Sequence, residues 1–185
     1  DEEGRLVQAG RNGRLTARFA YDGTHQRAMK QEWKNAISVG GNSPFVVQAA
    51  MLRQTHYVNR WYEIRGGVAV RYIFLGNQRV ASQHSGNTFY YLADHVGSST
   101  VALDQAGAVV QRVSYDPFGT VLSNQGTGVA SYTFTDKEQD NTGLYYFGAR
   151  YYDPSLGRFL TVDPLEQRAL VEKQIARERL KKTPV

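Results

Sequence analysis

Two Asp-Pro steps, Asp153-Pro154 and Asp163-Pro164, place carboxylates at turns in the most aromatic part of the chain and are the first candidates for acid–base chemistry. Aspartates held close enough to share one proton can hydrolyse a bond, the ionised one acting as base toward water and the protonated one as acid. Asp140 is the alternative partner for Asp163. The competing reading is structural, because aspartate is also a turn and helix-cap residue. Other candidates are thinner. His25, His56, His84 and His95 are dispersed and never four apart, leaving only the neighbours Asp94 and His95 as a metal pair on paper. Ser98-Ser99 lacks nucleophile-elbow glycines, and the glycines at 126–128 are not followed by the Lys-Ser/Thr of a phosphate loop. Arg150 and Arg158, flanked by aromatics, read as stacking on rings or pairing with Asp153 and Asp163. No metal site and no cofactor are expected.

The elements that must hold these residues are strands. Residues 142–164, TGLYYFGARYYDPSLGRFLTVDP, contain four Tyr, two Phe and two Arg. Rings at Tyr145, Tyr146, Phe147, Tyr151 and Tyr152 fall on both faces of any strand they form, so such strands are covered on both sides or line an interior. Upstream, Asp22-Gly23 sits between two alternating runs and predicts a tight hairpin, with Gly relieving the positive-φ requirement. Residues 35–45, with two adjacent Gly and Pro44, mark a loop or weak boundary.

From Phe45 the pattern predicts strands in FVVQAAML, HYVNRWYEIRG, VAVRYIFLG, QRVASQ, FYYLA, STVALD and VVQRVSYD, with helix left open for VVQAAMLRQ. A loop NQGTGV (124–129) and a strand ASYTFTD (130–136) follow. After Pro164 the texture changes to LEQRALVEKQIARERLKK, which predicts a helix. Asp163 is its N-cap, Pro164 its first residue and Glu166 its capping-box acid. A thin stripe of Leu165, Ala169, Ile175, Ala176 and Leu180 implies docking by one face.

Composition narrows the classes. The 185 residues include 18 Gly, 12 Tyr and only two Met, which favours strands and turns. With no cysteine, disulfide scaffolds and thiolate zinc sites are excluded. No apolar run reaches the length of a membrane span. The acidic start is not a signal peptide, and the chain reads as a mature piece or excised fragment. The net charge of +5 is concentrated in four Arg between Arg5 and Arg18 and six Lys or Arg between Gln167 and Lys182. Aromatic residues lie in other segments, so nucleic acid is not an expected partner.

Tyr-Asp recurs in FAYDG (19–23), VSYDPFG (113–119) and RYYDP (150–154), and Gly-Arg at Gly4-Arg5, Gly13-Arg14 and Gly157-Arg158. One such hairpin cannot bury its own apolar face, whereas a stack of them can. The fold class expected is mainly β, a curled sheet of repetitive antiparallel hairpins with a C-terminal helix. Tyr supplies its inner layer and Asp holds its turns.

These elements resemble tyrosine-aspartate (YD) repeats, and residues 90–164 resemble the Rhs repeat-associated core domain. The resemblance rests on YYLADHVGSSTVALDQAGAVVQRVSYDPFG, YTFTDKEQDNTGLYYFGARYYDPSLGRFLTVDP and, upstream, YVNRWYEIRGG and RYIFLGNQRVA. It divides the chain into hairpins over 1–44 and the core over 45–164, and leaves outside it the basic amphipathic helical tail over 165–185. Within the core it marks Tyr115, Asp116, Pro117, Gly119, Tyr145, Tyr146, Arg150, Tyr151, Tyr152, Pro154, Gly157, Arg158, Phe159 and Pro164 as structural positions. Members of this family are large secreted or cell-surface bacterial proteins, including polymorphic toxins and the C components of insecticidal toxin complexes. Their repeats form a hollow shell that the core closes around a C-terminal toxin.

The expectation is therefore a shell or plug module whose partners are the rest of a larger shell, a protein cargo, or a second copy. In many members the core also cuts the chain with carboxylates from two Asp-Pro-x-Gly motifs. Here Asp163-Pro164 is followed by Leu165-Glu166, and no second such motif appears downstream. A self-cleaving core using Asp163 and Asp153 is thus the alternative reading. A helper or orphan core fragment whose C-terminal helix binds a partner is the third.

Overall fold

Residues 5–11, 14–33 and 51–181 are described by the computed structural model. They form a large sheet, a small sheet and one helix. The large sheet opens with β1 (Gln8–Arg11), β2 (Arg14–Tyr21), β3 (Arg27–Trp33) and β4 (Met51–Asn59). It continues through β5 (Tyr62–Arg65), β6 (Val68–Leu75), β7 (Gln78–His84) and β8 (Asn87–Ala93). It ends with β9 (Ser99–Leu103), β10 (Val109–Tyr115) and β11 (Val121–Gly126). All 11 strands pair in chain order, each with its sequence neighbour. The sheet is open, since β1 and β11 are its two edges and do not pair with each other. The segments β12 (Glu138–Gln139), β13 (Tyr145–Tyr146), β14 (Tyr151–Asp153) and β15 (Arg158–Phe159) make the second, four-stranded sheet. Helix α1 (Pro164–Lys181) follows.

One turn, used repeatedly, makes this meander. Asp22 Oδ1 accepts the N–H groups of Thr24 (2.8 Å) and Gln26 (3.0 Å). Asp94 does the same with Val96 and Ser98, Asp104 with Ala106 and Ala108, and Asp116 with Phe118 and Thr120. The fourth residue of each turn is left-handed: His25 (φ 65°), Gly97, Gly107 and Gly119. This is the hairpin loop that ends in a bulge, and the strand register shifts beside each of these turns. The first hairpin therefore forms where expected but for a different reason. Gly23 has no positive φ, and His25 carries it instead.

Three further expectations change. The run 56–66 is broken at Arg60-Trp61, where Asn59 Oδ1 accepts the Trp61 N–H (2.9 Å) and splits it into β4 and β5. Residues 124–126 belong to β11 rather than to a loop. Residues 130–136 are not a strand: Phe134–Asp136 form a 3-10 turn with Thr135 and Asp136 at φ 49° and 54°. The predicted loop at 35–45 and the boundary at 44/45 lie outside the described residues, as do Gly4 and Gly13. Across that boundary the sheet is continuous, with Lys30 opposite Thr55 in the β3–β4 pair. Of VVQAAMLRQ, residues 51–54 are strand and the rest lies outside the described residues.

α1 begins at Pro164 with the Leu165 N–H donated to Asp163 Oδ1 (2.9 Å), the N-cap that the sequence predicts. The expected docking by one face is not present, because Leu165, Leu170, Val171 and Ile175 are all exposed. The predicted stripe does share one face, but its described members Leu165, Ala169 and Ile175 are exposed, and it holds too few large apolar side chains to offset the cost of docking the helix.

The turn geometry sets an expectation. Asp104→Ala removes a carboxylate that satisfies two backbone donors and should cost about 1–2 kcal/mol in urea unfolding, whereas Asp104→Asn retains most of that. Equal losses for the two variants would mean that the side-chain acceptor is not what holds the turn.

Candidate functional site

Strands β12–β14 lie against the large sheet, and what joins them is charge. In a strand, residues i and i+2 share a face. Lys30 with Glu32 on β3, and Glu63 with Arg65 on β5, therefore point the same way, and all four are buried. Arg27 at the start of β3 joins them. The facing segment supplies Glu138 from β12 and Asp140 from the turn after it, both buried.

Glu138 Oε1 accepts from Lys30 Nζ (2.9 Å) and Arg65 Nη1 (2.7 Å). Its Oε2 accepts from Arg27 Nη2 (2.5 Å) and the Tyr57 hydroxyl (2.5 Å). Asp140 Oδ2 takes Arg27 Nη1 (2.7 Å) and Oδ1 takes Lys30 Nζ (2.9 Å). Arg65 Nε donates to Glu63 Oε2 (2.6 Å), which also accepts from the Tyr72 hydroxyl (3.2 Å), while the Tyr132 hydroxyl donates to Glu63 Oε1. Glu32, near Lys30 Nζ (3.5 Å), is paired on the solvent side by Arg53 (3.2 Å). Arg27, Lys30, Arg53 and Arg65 thus balance Glu32, Glu63, Glu138 and Asp140, four cations against four anions.

Burial would raise the Glu138 carboxyl, but the charges of Arg65, Lys30 and Arg27 outweigh it and hold Glu138 well below the usual carboxylate range. Asp140 goes the other way. Burial together with the charge of Glu138 outweighs Arg27 and Lys30, and its carboxyl is raised. Burial also raises the Tyr57 and Tyr132 hydroxyls, so both stay protonated donors toward the carboxylates.

Aromatic residues wrap the cluster. The Arg27 guanidinium lies over the rings of Tyr146 (4.1 Å) and Tyr57 (4.8 Å). The Arg27 N–H donates to the Tyr146 hydroxyl (3.0 Å), and its Nη1 reaches the Tyr151 hydroxyl (3.3 Å). Arg79 is caged by Tyr132 (3.5 Å) and Tyr72 (4.1 Å) and pairs with Asp136 (2.9 Å).

The structural positions marked by sequence converge on a second contact. Tyr145, fully buried, donates its hydroxyl to Gly119 O (3.0 Å), and Tyr152 donates to Phe118 O (2.9 Å). Thr120 Oγ1 donates to the carbonyl of buried Pro154 (3.4 Å). The Asp116-Pro117-Phe118-Gly119 turn is thereby pinned to β13 and β14. Gly119 is left-handed (φ 94°), and a Cβ there would come within 2.5 Å of the Phe134 ring. Gly157 is left-handed too, beneath Phe118. Tyr115 donates to Ser99 O (2.8 Å). Arg150 stacks on Phe159 (3.8 Å) and pairs with Asp163 (3.0 Å), and Arg158 sits opposite Asp153 in the β14–β15 register.

The candidate catalytic acids are each engaged separately. Asp153 Oδ1 accepts the N–H (2.8 Å) and hydroxyl (2.6 Å) of Ser155, which lower its pKa as an ionised turn residue. Asp163 caps α1 and pairs with Arg150, and Asp140 belongs to the ion cluster. Among the described residues no hydrogen bond links any two of these three. No group of three His, Asp or Glu residues among those described could hold a metal ion. The sequence reading missed the ion cluster itself. Its signal is opposite charges at i and i+2 on strands that otherwise alternate, Lys30-Gln31-Glu32 and Glu63-Ile64-Arg65.

Residues 1–181 match the family described as Teneurin YD-shell. Toxin subunit YenC2 of Yersinia entomophaga is 30% identical over 183 residues, covering 86% of this chain and 18% of that protein. Toxin subunit YenC1 of the same organism is 28% identical over 162 residues, covering 79% of this chain and 16% of that one. The chain thus spans less than a fifth of the length of these relatives. The crystal structure of TcdB2-TccC3-TEV superposes with a TM-score of 0.70 at 24% identity, covering 89% of this chain and 9% of that one, which is a likeness of fold.

Glu138→Gln should lower stability at pH 7 by about 3–5 kcal/mol, since it leaves three buried cations underpaired. A carboxyl held low in the fold stabilises fully above its ordinary value of 4.5, and that stabilisation is lost as pH falls toward the folded value. The unmodified chain should therefore lose thermal stability below pH 4.5 more steeply than Glu138→Gln. Asp140, raised in the fold, contributes with the opposite sign: its ionised form costs stability at neutral pH, and that cost is relieved as the pH falls toward its ordinary value of 3.8. Asp140→Asn should therefore compare best with the unmodified chain near pH 7 and lose ground to it as the pH is lowered. Parallel pH curves for all three proteins would remove the cluster as the cause. Gly119→Ala should cost at least about 2 kcal/mol by combining strained φ with a clash on Phe134.

Proposed function

This chain belongs to the Teneurin YD-shell family, and from that premise we propose that it serves as a wall-and-plug module of an Rhs-type toxin shell that encloses or presents a polypeptide cargo. The observation that carries this reading is the pairing of all 11 strands in chain order in a sheet with two unclosed edges. Such a sheet can be prolonged by further hairpins at β1 or β11 without rearranging any existing pair. The inner side is occupied by the 130–159 segment, bound through the Glu138 cluster and the Asp116 turn, so one end of the wall is filled by the chain's own residues. The two Yersinia relatives are toxin subunits by name, which favours secretion or the bacterial surface as the site of action. Among the described residues no helix is long and apolar enough to cross a membrane.

The division into 1–44, 45–164 and 165–185 enters the proposal as hairpins that extend the wall, a core that fills it and a tail that leaves it. The partners are the remainder of the shell and the cargo.

A chimera tests the proposal. Residues 1–181 replace the matched stretch of toxin subunit YenC2, and trypsin protection of the remaining chain is followed by gel and mass spectrometry. The chimera should protect its C-terminal region as well as the parent does, and the same chimera carrying Glu138→Gln should not. A folded chimera with a fully digested C-terminal region would refute the role.

A further inference from the structure

A groove of about 510 Å³ runs between the ends of the β2–β3, β4–β5 and β6–β7 hairpins and the segment from Tyr132 to Gly148. Its volume lies in the range of pockets that hold small ligands or a few residues of peptide. The walls are aromatic, with Phe74, Tyr57, Tyr132 and Phe147 among the lining residues.

Charge in the groove is unevenly committed. Four acids line it, and each already has partners. Asp22 caps its turn, Asp136 holds Arg79, and Glu63 and Glu138 belong to the ion cluster. Of the cations, Arg27 and Arg79 are likewise paired. Arg60 and Lys137 have no carboxylate partner among the described residues. Each rests on a ring instead, Arg60 over Phe74 (4.2 Å) and Lys137 over Phe147 (5.5 Å). Arg60 is exposed and Lys137 half-buried. The charge left over at the groove is therefore positive, and it sits on aromatic surfaces.

A cation resting on a ring has already exchanged part of its hydration for the π-face, so a carboxylate that reaches it displaces less water than at a free surface lysine. The rings beside it offer area to an aromatic or aliphatic neighbour of that carboxylate.

We propose that this groove binds an extended peptide segment in which Asp or Glu stands beside an aromatic residue, the carboxylate seated between Arg60 and Lys137. Nucleic acid fits less well. A phosphate backbone needs a continuous basic track, whereas this groove offers two uncommitted cations above a floor containing Glu63 and Glu138. The groove exists in this chain whether or not the chain forms part of a larger wall, so its occupancy and the shell role stand or fall separately.

The full chain supplies its own reporter. Trp61 is 55% exposed and lies beside the Arg60 guanidinium (5.5 Å), whereas Trp33 is 8% exposed. The chain is titrated with the capped peptide Ac-Tyr-Glu-Asp-Phe-amide, with its Gln/Asn counterpart and with a short oligothymidylate, by tryptophan fluorescence and calorimetry. The acidic peptide should bind about three- to fivefold more tightly than the amide peptide, with the difference shrinking as salt is raised. Arg60→Gln and Lys137→Gln, checked for folding by circular dichroism, should each remove most of that difference. Equal affinity for the two peptides in the unmodified chain would overturn the proposal, and that comparison does not depend on any variant folding. Unchanged discrimination in both folded variants would also overturn it, as would tighter binding of the oligothymidylate than of the acidic peptide.

Discussion

The rest of the structure depends on one carboxylate staying ionised where it is almost wholly withdrawn from water. Glu138 accepts from Arg27, Lys30, Arg65 and Tyr57, which come from β3, β4 and β5. Taking a carboxylate out of water costs several kcal/mol, and only a dense set of aligned donors offsets it. Here the set is complete only if the large sheet brings β3, β4 and β5 into register and if 130–140 folds back onto them. Each sheet therefore supplies the charges that make burial of the other's charges tolerable. A greasy interface would hold the segment at many registers, whereas four directed bonds to two oxygens hold it at one.

The same residue type does two jobs, and which job falls to each copy decides the shape. Asp22, Asp94, Asp104 and Asp116 turn their carboxylates back onto their own loops. Asp140 heads an equivalent loop, with its N–H on Leu144 O and Gly143 N–H on its own carbonyl, yet its carboxylate leaves to pair with Arg27 and Lys30. Thr142 Oγ1 takes the Leu144 N–H there (3.4 Å). One loop in the series has thus given up its own cap to fasten the small sheet to the large one. Tyrosine divides in a similar way: Tyr57 and Tyr132 donate to buried carboxylates, while Tyr115, Tyr145 and Tyr152 donate to backbone carbonyls. In both cases a ring provides apolar area while its hydroxyl satisfies a polar atom that burial would otherwise strand.

The strand meander was legible because its punctuation is local. Gly66-Gly67, Gly76-Asn77 and the spaced pairs Asp94/Gly97, Asp104/Gly107 and Asp116/Gly119 need no distant partner to specify a turn. The helix from Pro164 was legible for the same reason, through Asp163 and a run of helix formers. The ion cluster was not. Alternation assigns charged residues to the outer face by default, and nothing near Lys30 or Arg65 announces that Glu138, more than 70 residues away in a polar turn-like stretch, will meet them inside. Residues 130–136 fail for a related reason. Their alternation is that of a strand, but Tyr132 is drawn to Glu63 and Phe134 to Gly119, and a left-handed pair at Thr135 and Asp136 satisfies both. Tertiary demand overrides period there.

If the open sheet is prolonged by further hairpins, as proposed, it cannot rely on a conventional core. Each added hairpin brings one inward face, and an apolar inward face over many hairpins would leave a large greasy surface wherever no segment covers it. The inward residues here include Lys30, Glu32, Glu63, Arg65, Ser82 and Gln111, interleaved with Phe19, Val70, Tyr72 and Tyr91. Such a face is tolerable when wet, and it becomes specific only where a complementary segment supplies the missing partners. At Glu138 the chain supplies that segment itself. Toward Arg60 and Lys137 it leaves cations resting on rings, held in place but without a counter-charge from the described residues. In the proposed role, the polar inward face would serve two needs at once, tolerance of water on an open sheet and selectivity for a segment lying against it. A core of Leu and Val would meet only the requirement of cohesion.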